Sequence, residues 1–214
     1  MPATQTQAAT RRRNRARTRE ALLNAATEVF AEKGFAAATL QEISAAAGFT
    51  RGAFHHHFAS KEELFLAVIA RHDEELLAAY EPIGIGGLPS PPHVDAQRWH
   101  EVHSTDQDDV ALRLELRALA LRDPALRHRL IEVDRAAEAA TADRLKDVVD
   151  AQAKVWRYPP GHIAALLHVT SGALRARAAL GEPDAVDLME TMLALVWGAA
   201  IEDPPARKSA RAAN

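Results

Sequence analysis

The 214-residue chain contains no cysteine. Disulfides, thiol redox chemistry and cysteine-ligated zinc are therefore excluded, and the chain is compatible with a reducing compartment. No stretch approaches the roughly 18 consecutive apolar residues that span a bilayer, and no apolar core of a secretion signal follows the polar, then basic, start MPATQTQAATRRRNR. The expectation is a soluble cytoplasmic protein with no membrane partner. β-Branched residues are sparse and alanine is frequent, a bias toward helix throughout. Catalytic signatures are missing too: there is no Gly-x-Ser-x-Gly, no His-Glu-x-x-His and no P-loop lysine. Gly84, Gly86 and Gly87 follow no strand pattern, and Pro89 stands where a dinucleotide fingerprint needs its third glycine. His55, His56 and His57 would point about 100° apart on a helix and cannot share one ion. His100 and His103 have ligand spacing but no identifiable third ligand. No catalytic residue, metal site or cofactor is assigned.

What is present is a hydrophobic fraction of 48%, enough for a real core, and an uneven charge distribution. Residues 1–61 hold nine Lys/Arg against four Asp/Glu, whereas the remainder holds seventeen against twenty-five. Only the N-terminal part is suited to a polyanion. Arg11, Arg12, Arg13, Arg15, Arg17 and Arg19 lead into the first helix, where they would either form a solvated, disordered tail or neutralise phosphates and enter a minor groove.

The most informative stretch is Thr39–Lys61, TLQEISAAAGFTRGAFHHHFASK. Thr39 and Glu42 make a Thr-x-x-Glu capping box, which opens a short helix with Leu40, Ile43, Ala46 and Ala47 on one face. Gly48 ends it by supplying positive φ. Phe49 is an apolar anchor, Thr50 caps a second helix, and Phe54 and Phe58 sit four apart, facing the first helix. That leaves Arg51, Gly52, Ala53, His55 and His56 on the open face, the one that enters the DNA major groove in a helix-turn-helix.

The rest of the chain reads as helices. The first runs from about Ala16 to Lys33, with Leu22, Ala26, Val29 and Phe30 as its stripe and Lys33-Gly34 as its end. Ser60 and Glu63 form a second capping box for a long helix toward Tyr80, and Lys61 in its first turn opposes the helix dipole, which suggests an external anion such as a DNA phosphate. Pro82–His93 is a loop. A short helix follows over Val94–Ser104, then one from Asp108, one from Asp123-Pro124 to about Ala153, one from Gly161 to Leu180 and one from Asp184 to Ala200. The last helix carries Val186, Leu188, Met189, Met192, Leu193, Leu195, Val196 and Trp197, an apolar band too broad for one neighbour. Its partner offers small residues, Ala164, Ala165, Ser171, Gly172 and Ala173, that permit close approach. Pattern alone leaves internal core and subunit interface both open.

GFTRGAFHHHFASKEELF, within Arg19–Ile69, is similar to the DNA-binding domain of the TetR (tetracycline-repressor-like) transcription regulators. The shared features are the glycine turn at Gly48, the cap at Thr50, the small residues Gly52 and Ala53, the His57-Phe58 pair, and Lys61 three residues on. One position departs: His55 stands where family members commonly carry a phosphate-contacting tyrosine, which keeps a donor but makes it pH-sensitive in the neutral range.

The resemblance implies an all-α fold of about nine helices, with a three-helix DNA-binding domain and a C-terminal ligand-binding and dimerisation domain. The expected boundaries are a disordered basic arm at 1–15, the helix-turn-helix domain at 16–60, the effector domain at 61–202 and a disordered tail at 203–214. The DNA-binding residues would be Thr39, Thr50, Arg51, Gly52, Ala53, His55, His56 and Lys61. A homodimer would form through a four-helix bundle using Ala164, Ala165, Gly172, Met189, Met192, Leu193, Val196 and Trp197. An unidentified small-molecule effector would lie among Trp99, His103, Leu116, Leu119, Trp156, Leu167 and His168, tilting the long fourth helix. The function expected is a repressor on palindromic double-stranded DNA. The alternatives are an activator, an effector-independent DNA-binding protein, or a helical enzyme.

Overall fold

The computed structural model describes residues 3–79, 92–103, 107–151 and 153–202. Among these residues the fold is all-α, with nine helices and one two-residue antiparallel ladder. The helices are α1 (Ala3–Ala37), α2 (Leu40–Ala46), α3 (Arg51–His55), α4 (Lys61–Ala79), α5 (Pro92–His103), α6 (Gln107–Ala120), α7 (Pro124–Asp150), α8 (Pro160–Ala179) and α9 (Ala185–Ala200). The ladder pairs β1 (Val155–Trp156) with β2 (Ile201–Glu202). It was not foreseen from the sequence, since two residues carry no readable period. Arg157 secures it, donating its main-chain N–H to Ala200 O at 2.8 Å and its guanidinium to Glu202 at 2.9 Å.

Most helix ends lie where local chemistry puts them. Pro124 opens α7, and Asp123 Oδ1 accepts from the N–H groups of Ala125 and Leu126 at 2.9 and 3.2 Å. α1 differs at both ends from the expected 16–33. It is helical from Ala3, so the basic stretch read as an arm is an extension of the helix, in keeping with the helix propensity of Ala and Arg. At its far end Gly34 breaks the regular geometry with φ 74° and ψ 166°, and one further turn follows to Ala37. Most of the expected Pro82–His93 loop and the whole 203–214 tail lie outside the described residues.

The chain divides into two compact units, Met1–Glu75 with Asp106–Asp134, and Leu76–Thr105 with Arg135–Asn214. α6 therefore groups with the helix-turn-helix segment. The first unit is built on one apolar core in which Phe30, Ile43, Phe54, Leu64 and Phe65 have no exposure. Phe35 stacks on Phe65 at 4.7 Å between centroids, and Phe30 meets Phe65 at 4.9 Å. Each such buried side chain contributes about 1.5–3 kcal/mol relative to exposure. The second unit has a smaller core of Ala96, Trp99, Leu174, Ala185, Met189 and Leu193, joining α5, α8 and α9.

Candidate nucleic-acid interface

α2 and α3 are each set by their own caps. At α2, Thr39 N–H donates to Glu42 Oε2 at 3.0 Å while Glu42 N–H donates to Thr39 Oγ1 at 3.2 Å, the reciprocal box expected from the sequence. Lys33 donates to the same carboxylate at 2.8 Å. The Lys33 contact first and the Thr39 hydrogen bonds next hold the Glu42 carboxyl down to about 2. The turn depends on Gly48 at φ 75°, a conformation that costs other residues about 1–2 kcal/mol. Phe49 N–H then returns to Ser44 O at 2.8 Å. Thr50 Oγ1 accepts from Ala53 N–H at 3.3 Å and starts α3.

α3 is only five residues long, and His56 caps it, so the expected helix over His57 and Phe58 is a turn instead. Phe54 and Phe58 are nevertheless buried, 5.7 Å apart, and fix which side faces out. Arg51, Gly52, His55 and His56 are exposed and Ala53 is half-buried. Among the described residues Arg51 has no polar partner. A Cβ added to Gly52 would meet only Thr50 Oγ1, at 3.7 Å, so nothing among the described residues requires glycine there. Ala46, expected on the inner face of α2, is exposed; Ser44 is buried in its place and donates to Leu40 O at 2.6 Å.

Two of the expected DNA-contacting groups have internal work. The Thr39 hydroxyl is engaged with Glu42 at 2.8 Å. Lys61 Nζ donates to Phe35 O at 2.7 Å, Ala38 O at 2.8 Å and, more weakly, Ala36 O at 3.4 Å, and sits 4.3 Å from the centre of the Phe35 ring. An ammonium has three N–H donors, so this set uses all of them. Lys61, which opposes the dipole in the first turn of α4, is thus satisfied by the carbonyls at the end of α1.

Residues that the pattern did not single out complete the frame. Glu115 of α6 accepts from Phe35 N–H at 2.8 Å and Ala36 N–H at 3.0 Å, clamping the kink at Gly34. Arg71 of α4 donates to Glu20, Asn24 and Thr27 of α1 at 3.1, 2.6 and 2.8 Å. Arg113 pairs with Asp73 and with the buried Asp109, both at 2.7 Å, joining α4 to α6. Only the i, i+4 spacing of Asp109 and Arg113 was a sequence signal.

The expected pocket residues are shared between the two units. Leu116 and Leu119 belong to the core of the first unit. In the second unit, Trp99 Nε1–H donates to Ser171 Oγ at 2.8 Å, Leu167 packs on the α5–α8–α9 core, and His168 Nε2 lies 2.9 Å from Thr141 Oγ1. Trp156 is in β1, and the side chain of His103 lies outside the described residues. The indole N–H groups of Trp156 and Trp197 are buried without an acceptor among the described residues. Among those residues no group of three or more His, Asp or Glu could hold a metal ion, and no helix is long and apolar enough to cross a membrane.

The expected interface set divides as well. Ala164, Met189 and Leu193 are buried within the protomer. Ala165, Met192, Val196 and Trp197 are half-buried, Met192 and Trp197 against the inner core, and Gly172 is exposed. Apolar side chains left open on the same helices are Leu166, Val169, Leu188 and Leu195, at 56, 70, 41 and 68% exposure. Sequence period marked the helices but not which edge of a broad band faces inward.

Comparison with known proteins places this geometry. Residues 22–68 match the family model described as bacterial regulatory proteins, tetR family. The chain is 37% identical over 128 residues to the HTH-type transcriptional repressor AcnR of Corynebacterium diphtheriae, covering 60% of this chain and 63% of that relative. It is 32% identical over 165 residues to the HTH-type transcriptional repressor Rv1474c of Mycobacterium tuberculosis, covering 77% of this chain and 83% of the relative. Among solved structures, Salmonella enterica GusR superposes with a TM-score of 0.66 at 26% identity, covering 85% of this chain and 95% of that one. A TetR-family regulator from Rhodococcus sp. superposes with a TM-score of 0.69 at 21% identity, covering 85% and 99%, a likeness of fold. The chain belongs to the TetR family of bacterial regulatory proteins.

Proposed function

We propose that this chain is a homodimeric transcriptional repressor that reads a palindromic DNA operator through α3 and is released by a small, mainly apolar effector held in the second unit. The observation that carries the reading is the face Arg51-Gly52-His55-His56, exposed on a segment whose reverse side, Phe54 and Phe58, is locked in the core. Arg51 reads a base, since a guanidinium held bidentate on guanine contributes about 1–3 kcal/mol of discrimination. Gly52 and Ala53 admit close approach, and His55 and His56 position the segment on phosphates or base edges. Thr39 and Thr50 set the caps, and Lys61 acts mainly by holding the end of α1.

Dimerisation is supported by Leu166, Val169, Leu188 and Leu195, which are left between 41 and 70% exposed. Two-fold pairing would offer two α3 segments to half-sites about 34–36 Å apart. Effector binding is supported by the buried indole donors of Trp156 and Trp197, each a site for an acceptor oxygen on an otherwise apolar molecule. Release then requires the effector to favour the DNA-incompetent state.

Sequence selection from random duplexes with the purified protein tests the reading. The expected result is a palindrome, on which Arg51→Ala lowers the preference over scrambled DNA by at least tenfold without lowering the melting temperature. Equal losses on both duplexes remove the base-reading role, and selection without any consensus favours an effector-independent DNA binder.

A further inference from the structure

We infer that Arg11 and Arg15, on the N-terminal extension of α1, form a second DNA-contacting face that grips backbone phosphates flanking the site read by α3. The inference rests on α3 being the DNA-reading element. The helix is continuous from Ala3 until the break at Gly34, so rotation about its axis at about 100° per residue relates all its side chains. Taking Arg11 as origin, Arg15, Arg19 and Arg12 fall about 40°, 80° and 100° away, whereas Arg13 and Arg17 fall about 200° and 240° away. Leu22, Ala26, Val29 and Phe30, all buried, occupy the arc of Arg11, Arg15, Arg19 and Arg12. The face of α1 that turns into the core further along is therefore the face that carries these four arginines before the core begins.

That face leads toward α3. Arg19 lies over the Phe58 ring, 5.2 Å from its centre, and His57 beside it is held below the usual imidazole range first by burial and then by the positive fields of Arg15, His56 and Arg19. Arg15 thus lies within electrostatic reach of the turn that ends α3. Every side chain from Thr10 to Arg17 is exposed, and Arg11 and Arg15 have no ion pair among the described residues. No carboxylate precedes Glu20, so no internal anion in that stretch competes for the stripe. A polyanion running past the end of α3 is the occupant whose charge and extent fit. The stripe from Arg11 to Arg19 extends about 12 Å at 1.5 Å per residue, enough to reach more than one backbone phosphate of a duplex that carries one charge per about 3.4 Å of axis on each strand.

The test compares two double variants of the full chain with the same charge change. Arg11→Ala/Arg15→Ala removes two arginines of the stripe and Arg13→Ala/Arg17→Ala removes two of the opposite face, and alanine keeps the helix in both. Fluorescence anisotropy across a salt series would use a duplex carrying the selected site with long flanks, and the same site trimmed of its flanks. Loss of the stripe should flatten the log–log salt dependence by about two units per chain and weaken binding at least tenfold near 0.1 M salt. The opposite pair should change affinity less than about twofold. Trimming the flanks should erase the difference, and Arg11→Lys/Arg15→Lys should restore the slope. Equal effects from the two pairs, or an unchanged slope in the stripe variant while the unaltered protein binds, overturn the inference. If the unaltered protein binds no duplex at low salt, the underlying DNA-binding reading fails instead.

Discussion

The two compact units satisfy their polar groups in different ways. In the first, the helix ends are closed from within: Glu42 and Thr39 cap α2, Thr50 caps α3, Lys61 collects the carbonyls at the end of α1, and Glu115 takes the N–H groups of Phe35 and Ala36. In the second, Leu166, Val169, Leu188 and Leu195 remain open on α8 and α9, as Leu114, Leu121 and Ile131 do in the first, but here the indole donors of Trp156 and Trp197 are also buried without acceptors among the described residues. The contrast teaches a division of labour. A surface that must meet one rigid partner is held fixed before it binds, so less conformational freedom is lost on contact. On the proposed function, a unit that pairs with a second copy and admits a ligand would leave contacts to be completed by them.

That contrast can be broken in graded ways, ordered by the effect on the protomer. Phe65→Ala removes the ring on which Phe30 and Phe35 pack, and about 3–5 kcal/mol of stability should be lost on denaturant unfolding. A loss below about 1 kcal/mol would mean that the aromatic core does not anchor the first unit. Lys61→Ala leaves carbonyls at the end of α1 without their donor, so thermal unfolding should register a loss of about 1–3 kcal/mol even without DNA. Unchanged stability with weakened DNA binding would return Lys61 to the phosphates. Leu195→Glu, at an exposed position, should change the stability of the chain by about 0.5 kcal/mol or less yet convert the proposed homodimer to monomer in sedimentation. A dimer that survives it would move the interface off this edge of α9.

The smallest effect concerns pH. The Glu42 carboxyl is held below its unfolded value of 4.5, at about 2, so its contribution is present above the unfolded value and is lost as pH falls through the folded one. The N-terminus of α2 should therefore fray between about pH 4.5 and 2, and an NMR titration following the Thr39 and Glu42 amides would detect it. Retention of both amide shifts to pH 2 would mean that the Lys33 and Thr39 partners do not hold the carboxylate.

What the sequence alone determined is local. The capping boxes, the positive-φ glycine, the Phe54–Phe58 pair and the helix period all act within about four residues, and that is the range over which backbone geometry follows from residue type. The α2–turn–α3 segment and its open face were legible for that reason. Only tertiary structure decided that Lys61 reaches back to Phe35 and Ala38, that Glu115 crosses from α6 to the Gly34 kink, and that Leu116 and Leu119 pack in the first core while Met189 and Leu193 turn into the second. The partners of these groups are supplied by chain folding. A charge at a helix end signals that it needs a counterpart but not which one, and an apolar band wider than one neighbour can cover does not mark its own inner edge.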